Sequence, residues 1–161
     1  MSETVYERFD DNAGFQAAVE RLLEQPGREL RIFDPDLAAL RVNDPSRIER
    51  FQRFLLASRT RRIYIAVHST DHLTRQCPRM MSLLARHAHA VQVYRTHEEI
   101  RGLQDSFLVL DSAHYVRRPV TQFFRGAIGL GDETEGLAMR NRFLEIWADS
   151  FPGVSATTVG L

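Results

Sequence analysis

The sequence contains no lysine, and all 21 of its basic residues are arginine. Arginine stays protonated and cannot form an imine, so every mechanism that needs a lysine is excluded. The excluded mechanisms are Schiff-base catalysis, a lysine general base and the phosphate-binding lysine of a P-loop. A GC-rich genome is the main reason we see for this bias, and the exclusion holds whatever its cause.

Cysteine is almost absent as well, since Cys77 is the single one in the chain. One cysteine cannot form an internal disulfide, and alone it lacks the spacing of a zinc-binding motif. Nothing near Cys77 resembles the signature of a cysteine enzyme. We therefore interpret it as a small buried side chain rather than a nucleophile.

Long apolar runs and a net charge are also missing. No segment approaches the roughly 20 apolar residues that cross a bilayer, and residues 1–11 are too polar for a signal peptide. Acidic and basic residues cancel at 21 each, with a pI near 7.0, so no overall field attracts nucleic acid or an anionic membrane. We expect a cytoplasmic protein without a membrane partner, in which nucleic acid is a disfavoured partner and any anion site is local.

Hydrophobic periodicity predicts alternating strands and helices in a single domain, which 161 residues with 43% hydrophobic content can form. Helices are predicted to begin near Asp11, at Asp44–Pro45, near Pro78 and at Asp132. Strands are predicted over residues 30–33, 61–68, 90–94, 107–110, 114–116 and 123–128. This order favours an α/β fold with a mixed, largely parallel sheet flanked by helices.

The two ends of the chain are assigned by the same periodicity. Residues 1–27 are predicted to be an N-terminal helical segment, 28–151 the core, and 152–161 a loose tail. Asp132 is the expected N-cap of the last helix. The apolar face of that helix is predicted to bury Phe143, Leu144, Trp147 and Phe151.

Residues 104–111 read QDSFLVLD, and this segment resembles a known family. Phospholipase D enzymes carry His-x-Lys-x4-Asp on a late strand of each half-domain, and here Gln104, Ser106 and Asp111 stand at its three positions. The resemblance covers about residues 28–151 and implies one half of a phospholipase D fold. Since single halves of that superfamily pair across their motif face, it also implies a homodimer.

The chain is also similar, more closely, to a small bacterial family of unknown function that is found alone or fused to acetyltransferase-type domains. The similar segments are LRIFDPDL, CPR at residues 77–79 and VRRP at residues 116–119. This second resemblance implies no activity.

The substitutions in the motif determine the expected chemistry. In active members of the phospholipase D family, one motif histidine acts as nucleophile and a second acts as general acid. The motif lysines hold the phosphate oxygens. Glutamine has no titratable nitrogen and serine has no charge, so this route cannot run through Gln104 and Ser106. We predict a pseudoenzyme with no catalytic residue, no cofactor and no metal.

Other polar side chains follow the predicted strands. His68, Asp71 and His72 lie at the carboxyl end of the clearest strand, where open α/β sheets place their ligands. They are candidates for binding an anion or polar ligand, and helix capping and solvation are the alternative. Asp34 and Asp36 end the first predicted strand, where they could enter the same crevice or bond the amides of a turn.

Three arginines are the candidates for holding a phosphate or carboxylate, namely Arg79, Arg117 and Arg118. Arg117 and Arg118 are adjacent beside a predicted strand end, and a guanidinium group binds such oxygens with paired hydrogen bonds. The alternative is that these arginines form ion pairs with Asp34 and Asp36.

The sequence thus predicts a non-catalytic phospholipase D-like module that binds a partner protein or a small anionic ligand. Two alternatives stay open. One is a hydrolase that uses His68 and His72 with Asp34 and Asp36, although no nucleophile, base and orienting group can be named for it. The other is a nucleic-acid-binding module that keeps the phosphate cleft, against which the neutral pI argues.

Overall fold

Eight strands form one sheet in the computed structural model, which describes residues 3–154. The strands are β1 (Val5–Phe9), β2 (Glu29–Asp34), β3 (Arg62–Val67), β4 (Val91–Thr96), β5 (Ser106–Leu110), β6 (His114–Arg118), β7 (Gly126–Leu130) and β8 (Ser150–Val154). Their order across the sheet is β1-β7-β6-β5-β2-β3-β4-β8. The two ends of the described chain therefore supply the two outermost strands.

Helices cover both faces of this sheet. They are α1 (Asn12–Leu23), α2 (Pro45–Leu56), α3 (Asp71–Gln76), α4 (Pro78–Arg86) and α5 (Glu133–Ala148), with a short 3₁₀ turn at Glu98–Ile100. The larger core joins α1, α2 and α4 to one face, and a smaller core joins α5 to the other. Among the helices of residues 3–154, none has the length and apolar character that a membrane span needs.

The strand pairing confirms the predicted α/β class and mixed sheet, but fewer pairs are parallel than expected. The parallel pairs join β2 to β3 and β3 to β4. The other neighbours are antiparallel, because β5, β6 and β7 follow one another through links too short for a crossover. The prediction of a largely parallel sheet was wrong in that respect.

Both outermost strands fall in segments where no strand was predicted. Strand β1 lies inside the expected N-terminal helical segment, and β8 includes residues 152–154 of the expected loose tail. Pro152 is tolerated in β8 because an edge strand needs only one partner, here β4. Strand β7 begins at Gly126 rather than at Phe123. The remaining tail residues, 155–161, lie outside the described part of the chain.

Helix α5 is amphipathic, as expected, but two residues predicted for its apolar face are exposed, Leu144 and Phe151, and Phe151 lies on β8. Asp132 caps its first turn, as predicted. Phe143 is fully buried, and Trp147 is half-buried with its ring stacked 3.9 Å from that of Tyr94. Leu144, however, is 40% exposed, because consecutive helical residues point about 100° apart.

Candidate functional site

Four strands bring residues that are distant in the sequence to one end of the sheet. Because β5 runs antiparallel to β2, Ser106 at its start lies beside Asp34 at the end of β2. Strand β6 turns back along β5, so that Arg118 pairs with Ser106. His68 follows the end of β3, which is parallel to β2. We refer to this end of the sheet, with Asp34, His68, Ser106 and Arg118, as the motif edge.

Asp34 is fully buried at the motif edge and is surrounded by donors. The Ser106 hydroxyl donates to its Oδ1 over 2.6 Å, and Nη2 of Arg118 lies 3.5 Å from the same oxygen. Its Oδ2 accepts from the Leu37 amide over 2.7 Å. Burial raises the pKa of Asp34, and the Ser106 hydrogen bond acts in the opposite direction. Asp34 therefore has a structural role and no contact with solvent.

Arg118 is the buried partner of Asp34. It is 2% exposed, and its guanidinium carbon lies 4.9 Å from the ring centre of Phe15 and 5.1 Å from that of Phe124. Burial lowers the pKa of Arg118, while the charge of Asp34 raises it. For Arg118 the structure thus supports the ion-pair alternative, since a ligand from solvent could not reach its guanidinium group.

Asp36 lies in the turn that follows β2. Its amide donates to Oδ2 of Asp34 over 3.2 Å, and its own Oδ1 accepts from the Ala38 amide over 3.0 Å. The turn also holds Leu37 at a φ of 71°, in the left-handed region. Both carboxylates therefore bond the amides of a turn, as the alternative for the Asp-Pro-Asp segment proposed.

The His68 ring is held at both of its nitrogens. Nδ1 lies 2.7 Å from Oγ1 of Thr96, and Nε2 lies 2.8 Å from the carbonyl oxygen of Leu103. Because a carbonyl only accepts, Nε2 of the neutral ring carries the proton, and Nδ1 accepts from the Thr96 hydroxyl. The ring also packs edge-on against Phe33, with 5.3 Å between ring centres. The His68 ring is therefore held between the end of β4 and the loop before β5.

Asp71, His72 and Arg79 lie on the helices beyond β3. Asp71 is exposed at the start of α3, His72 is half-exposed beside it, and neither contacts Asp34 or Ser106. Arg79 donates to Asn43 through its amide, over 2.8 Å, and through Nη1, over 3.3 Å. Within residues 3–154, no three histidine, cysteine or acidic side chains come together as a metal site.

The acid of the QDSFLVLD segment lies at the opposite end of β5. Oδ1 of Asp111 accepts from the amides of Arg28, over 3.1 Å, and Glu29, over 3.0 Å. Asp111 itself has a φ of 54°. It thus ties the turn after β5 to the start of β2, which is a structural role distant from the motif edge.

Gln104 and Arg117 share a shallow pocket at the motif edge. The pocket has a volume of about 310 Å³ and is also lined by Arg142. Arg142 forms a bidentate ion pair with Asp105, in which Nη2 donates to Oδ1 over 2.9 Å. His68 does not line this pocket.

Arg117 also lines a larger groove, which has a volume of about 710 Å³. Helix α5 packs on β2, β4, β5, β6 and β8, and the groove lies on the neighbouring face of β1 and β7. Side chains of β1, β6 and the loop before β7 surround it. We name it the arginine groove, defined by Tyr6, Arg8, Arg117, Phe123 and Arg125.

The loop before β7 approaches β6 closely. A Cβ atom on Gly126 would lie 1.9 Å from the Arg117 carbonyl oxygen, so glycine is required where β7 begins. The residues just before it, Phe123 and Arg125, are thereby held beside Arg117, with the Arg125 guanidinium carbon 4.9 Å from the Phe123 ring centre.

Sequence reasoning found Arg117 but missed the rest of the arginine groove. Tyr6 and Arg8 lie on a strand that was read as part of a helical segment, and Arg125 lay inside a strand predicted too early. The available signal was the spacing of two between Tyr6 and Arg8, which places both on one face of a strand.

Residues 11–156 match the family described as "Domain of unknown function (DUF7931)". The chain belongs to this family. No curated protein matches it.

Solved structures similar to this DUF7931 domain include a member of the phospholipase D family and an archaeal chromatin protein. Nuc from Salmonella typhimurium aligns with a TM-score of 0.67 at 11% identity, over 95% of this chain and 100% of Nuc. NucT from Helicobacter pylori aligns with a TM-score of 0.65 at 11% identity, over 93% and 99%. The domain therefore has a phospholipase D-like fold, as the QDSFLVLD segment predicted.

A third similar structure is TrmBL2, an archaeal chromatin protein whose structure shows a novel mode of DNA binding. It aligns with a TM-score of 0.64 at 12% identity, over 91% of this chain. The domain spans about half of that protein, or 53% of its chain. At such identities these likenesses establish the fold alone, and the predicted fusion to acetyltransferase-type domains stays a prediction.

Proposed function

We propose that this DUF7931 domain is a non-catalytic phospholipase D-like module that binds a small anionic ligand in the arginine groove. The observation that carries the proposal is the set of arginines that line one open groove beside the motif edge, Arg8, Arg117 and Arg125. Of the two ligand classes expected from the sequence, these arginines favour a small anion over a partner protein. The homodimer stays a prediction.

The weak pairing of Arg117 supports an anion site. Its Nη1 lies 3.9 Å from Oε2 of Glu135, and both side chains are about half exposed. An exposed pair of this kind contributes about 0–1 kcal/mol. An incoming phosphate oxygen can therefore replace Glu135 at little cost and form shorter, charge-assisted hydrogen bonds with the guanidinium group.

The state of the motif edge argues against the hydrolase alternative. Asp34 is buried against Arg118 and Ser106, so it cannot act on a substrate. Both nitrogens of His68 are engaged by protein groups, and a general base needs a free nitrogen within reach of the substrate. Gln104 is exposed but has no titratable group.

We predict no phosphodiesterase activity on bis-(p-nitrophenyl) phosphate, because Gln104 and Ser106 cannot supply the nucleophile and the cation that the reaction needs. Release of p-nitrophenol, followed by absorbance, should stay at the buffer rate. A rate above buffer that disappears in the Gln104→Ala variant would contradict the proposal.

Inorganic pyrophosphate should bind to the domain, and Arg117→Ala should weaken that binding about tenfold or more. The reason is that a hydrogen bond to a charged group contributes about 1.5–3 kcal/mol. Isothermal titration calorimetry at low salt measures the dissociation constant. Arg53→Ala is the matched control, since Arg53 is an exposed arginine on α2, paired with Glu49. Equal weakening in the two variants, or no binding by the wild type, would refute an anion site at Arg117.

A further inference from the structure

Two exposed aromatic rings lie among the arginines of the groove. Phe123 is 49% exposed and Tyr6 is 47% exposed, and both line the same open volume. The Phe123 ring is already covered on one side by Arg125, whose guanidinium carbon lies 4.9 Å from the ring centre. An anion alone would need the arginines but would gain nothing from the rings.

The cationic part of the groove lies close to the Tyr6 ring. Arg8, on the same strand face as Tyr6, lowers the pKa of the Tyr6 hydroxyl, and Arg117 lowers it further. Asp10 is the acidic side chain that lines the groove. Glu135 faces Arg117 over 3.9 Å, so three guanidinium groups and two carboxylates still leave the groove with an excess of positive charge.

Rings and guanidinium groups together suit a ligand with two chemically different parts. A flat aromatic base stacks on Phe or Tyr, and a phosphate chain accepts hydrogen bonds from arginine. A volume of about 710 Å³ lies within the range of small-molecule sites, which is about 300–1,000 Å³. The zero net charge of the chain offers no extended field for a long polyanion.

We infer that the arginine groove binds a nucleotide, with its base against Phe123 and Tyr6 and its phosphates on Arg8, Arg117 and Arg125. This inference rests on the proposed anion-binding function and names its ligand class. The nucleotide is bound rather than hydrolysed, so no bond changes in the complex.

The test compares pyrophosphate with ADP, GDP, CDP and UDP by calorimetry on the full chain. At least one nucleoside diphosphate should bind about tenfold or more tightly than pyrophosphate, because stacking of one base on an aromatic side chain gives roughly that gain. Phe123→Leu should reduce the affinity for that nucleotide to the level of pyrophosphate and leave pyrophosphate binding unchanged. Phe151→Leu is the matched control, since Phe151 is an exposed phenylalanine on β8.

The outcomes separate this inference from the proposed function. If pyrophosphate binds and all four diphosphates bind no more tightly, the nucleotide inference is overturned and the anion site stands. If neither class of ligand binds, both fail. A ten-residue oligothymidylate that binds more tightly than every diphosphate would assign the groove to a nucleic-acid strand and overturn the inference. Urea midpoints of the variants check that each one folds.

Discussion

Arg118→Ala should lower the free energy of unfolding by about 3–5 kcal/mol, which is the typical cost of removing one partner from a buried ion pair. The substitution leaves the carboxylate of Asp34 buried without its cation. It also empties the space between the rings of Phe15 and Phe124, both of which contact the guanidinium group. Urea unfolding followed by circular dichroism measures the change.

The neighbouring arginine provides the control for this prediction. Arg117→Ala removes the same side chain from the same strand, but at a half-exposed position whose partner lies 3.9 Å away, so it should change stability by about 0.5 kcal/mol or less. In the double variant that combines Arg118→Ala with Asp34→Ala, the two losses of unfolding free energy should not add, because Arg118 and Asp34 share one interaction. Equal urea midpoints for Arg117→Ala and Arg118→Ala would show that the buried pair does not stabilise the fold.

The contrast between these two arginines also marks the limit of what the sequence could predict. Adjacent residues of a strand point to opposite faces, and a shift of one residue in register exchanges them. The segment Val116–Pro119 therefore indicated that one arginine could meet Asp34, but it could not indicate which. The register that pairs Ser106 with Arg118 decides it, and that register depends on the whole β5–β6 hairpin.

The central strands were predictable for a different reason than the edge strands. Strand β3 is buried on both faces and appears in the sequence as a continuous apolar run. Strand β1 has just its two end residues partly buried, and its three middle residues are exposed. Such a segment has almost no hydrophobic pattern, so its pairing with β7 depends on tertiary context. Because Tyr6 and Arg8 lie on β1, two of the five residues that define the arginine groove were missed together with this strand.

The motif pointed to the end of the sheet beside which we propose the ligand site, but not to the chemistry of that end. Strand β5 covers Ser106–Leu110, so Gln104 lies before its start and Asp111 directly after its end. Burial of Asp34 with Ser106 and Arg118 fills the centre of that edge with a structural pair. The proposed ligand contacts therefore come from side chains beside it, of which Arg117 lines both pockets.

Substitutions on helix α5 give the second large effect. Periodicity alone places Leu144 on the buried face together with Phe143, whereas the structure predicts a large effect for Phe143 and a small one for Leu144. Phe143→Ala should lower the free energy of unfolding by about 3–5 kcal/mol, because truncating a buried phenylalanine loses its transfer energy and leaves a cavity. The Phe143 ring is 1% exposed and lies between Phe107 of β5 and Trp147.

Leu144→Ala is the matched control on the next residue of the same helix. Leu144 is 40% exposed, and alanine has the higher helix propensity, so this variant should stay within about 0.5 kcal/mol of the wild type. Trp147→Ala should fall between the two, since its ring is half-buried but stacks on Tyr94. Urea midpoints of the three variants give the order directly. If Leu144→Ala unfolds as early as Phe143→Ala, then Leu144 is buried in solution, and a surface that covers α5, such as the predicted second copy of the chain, must be present.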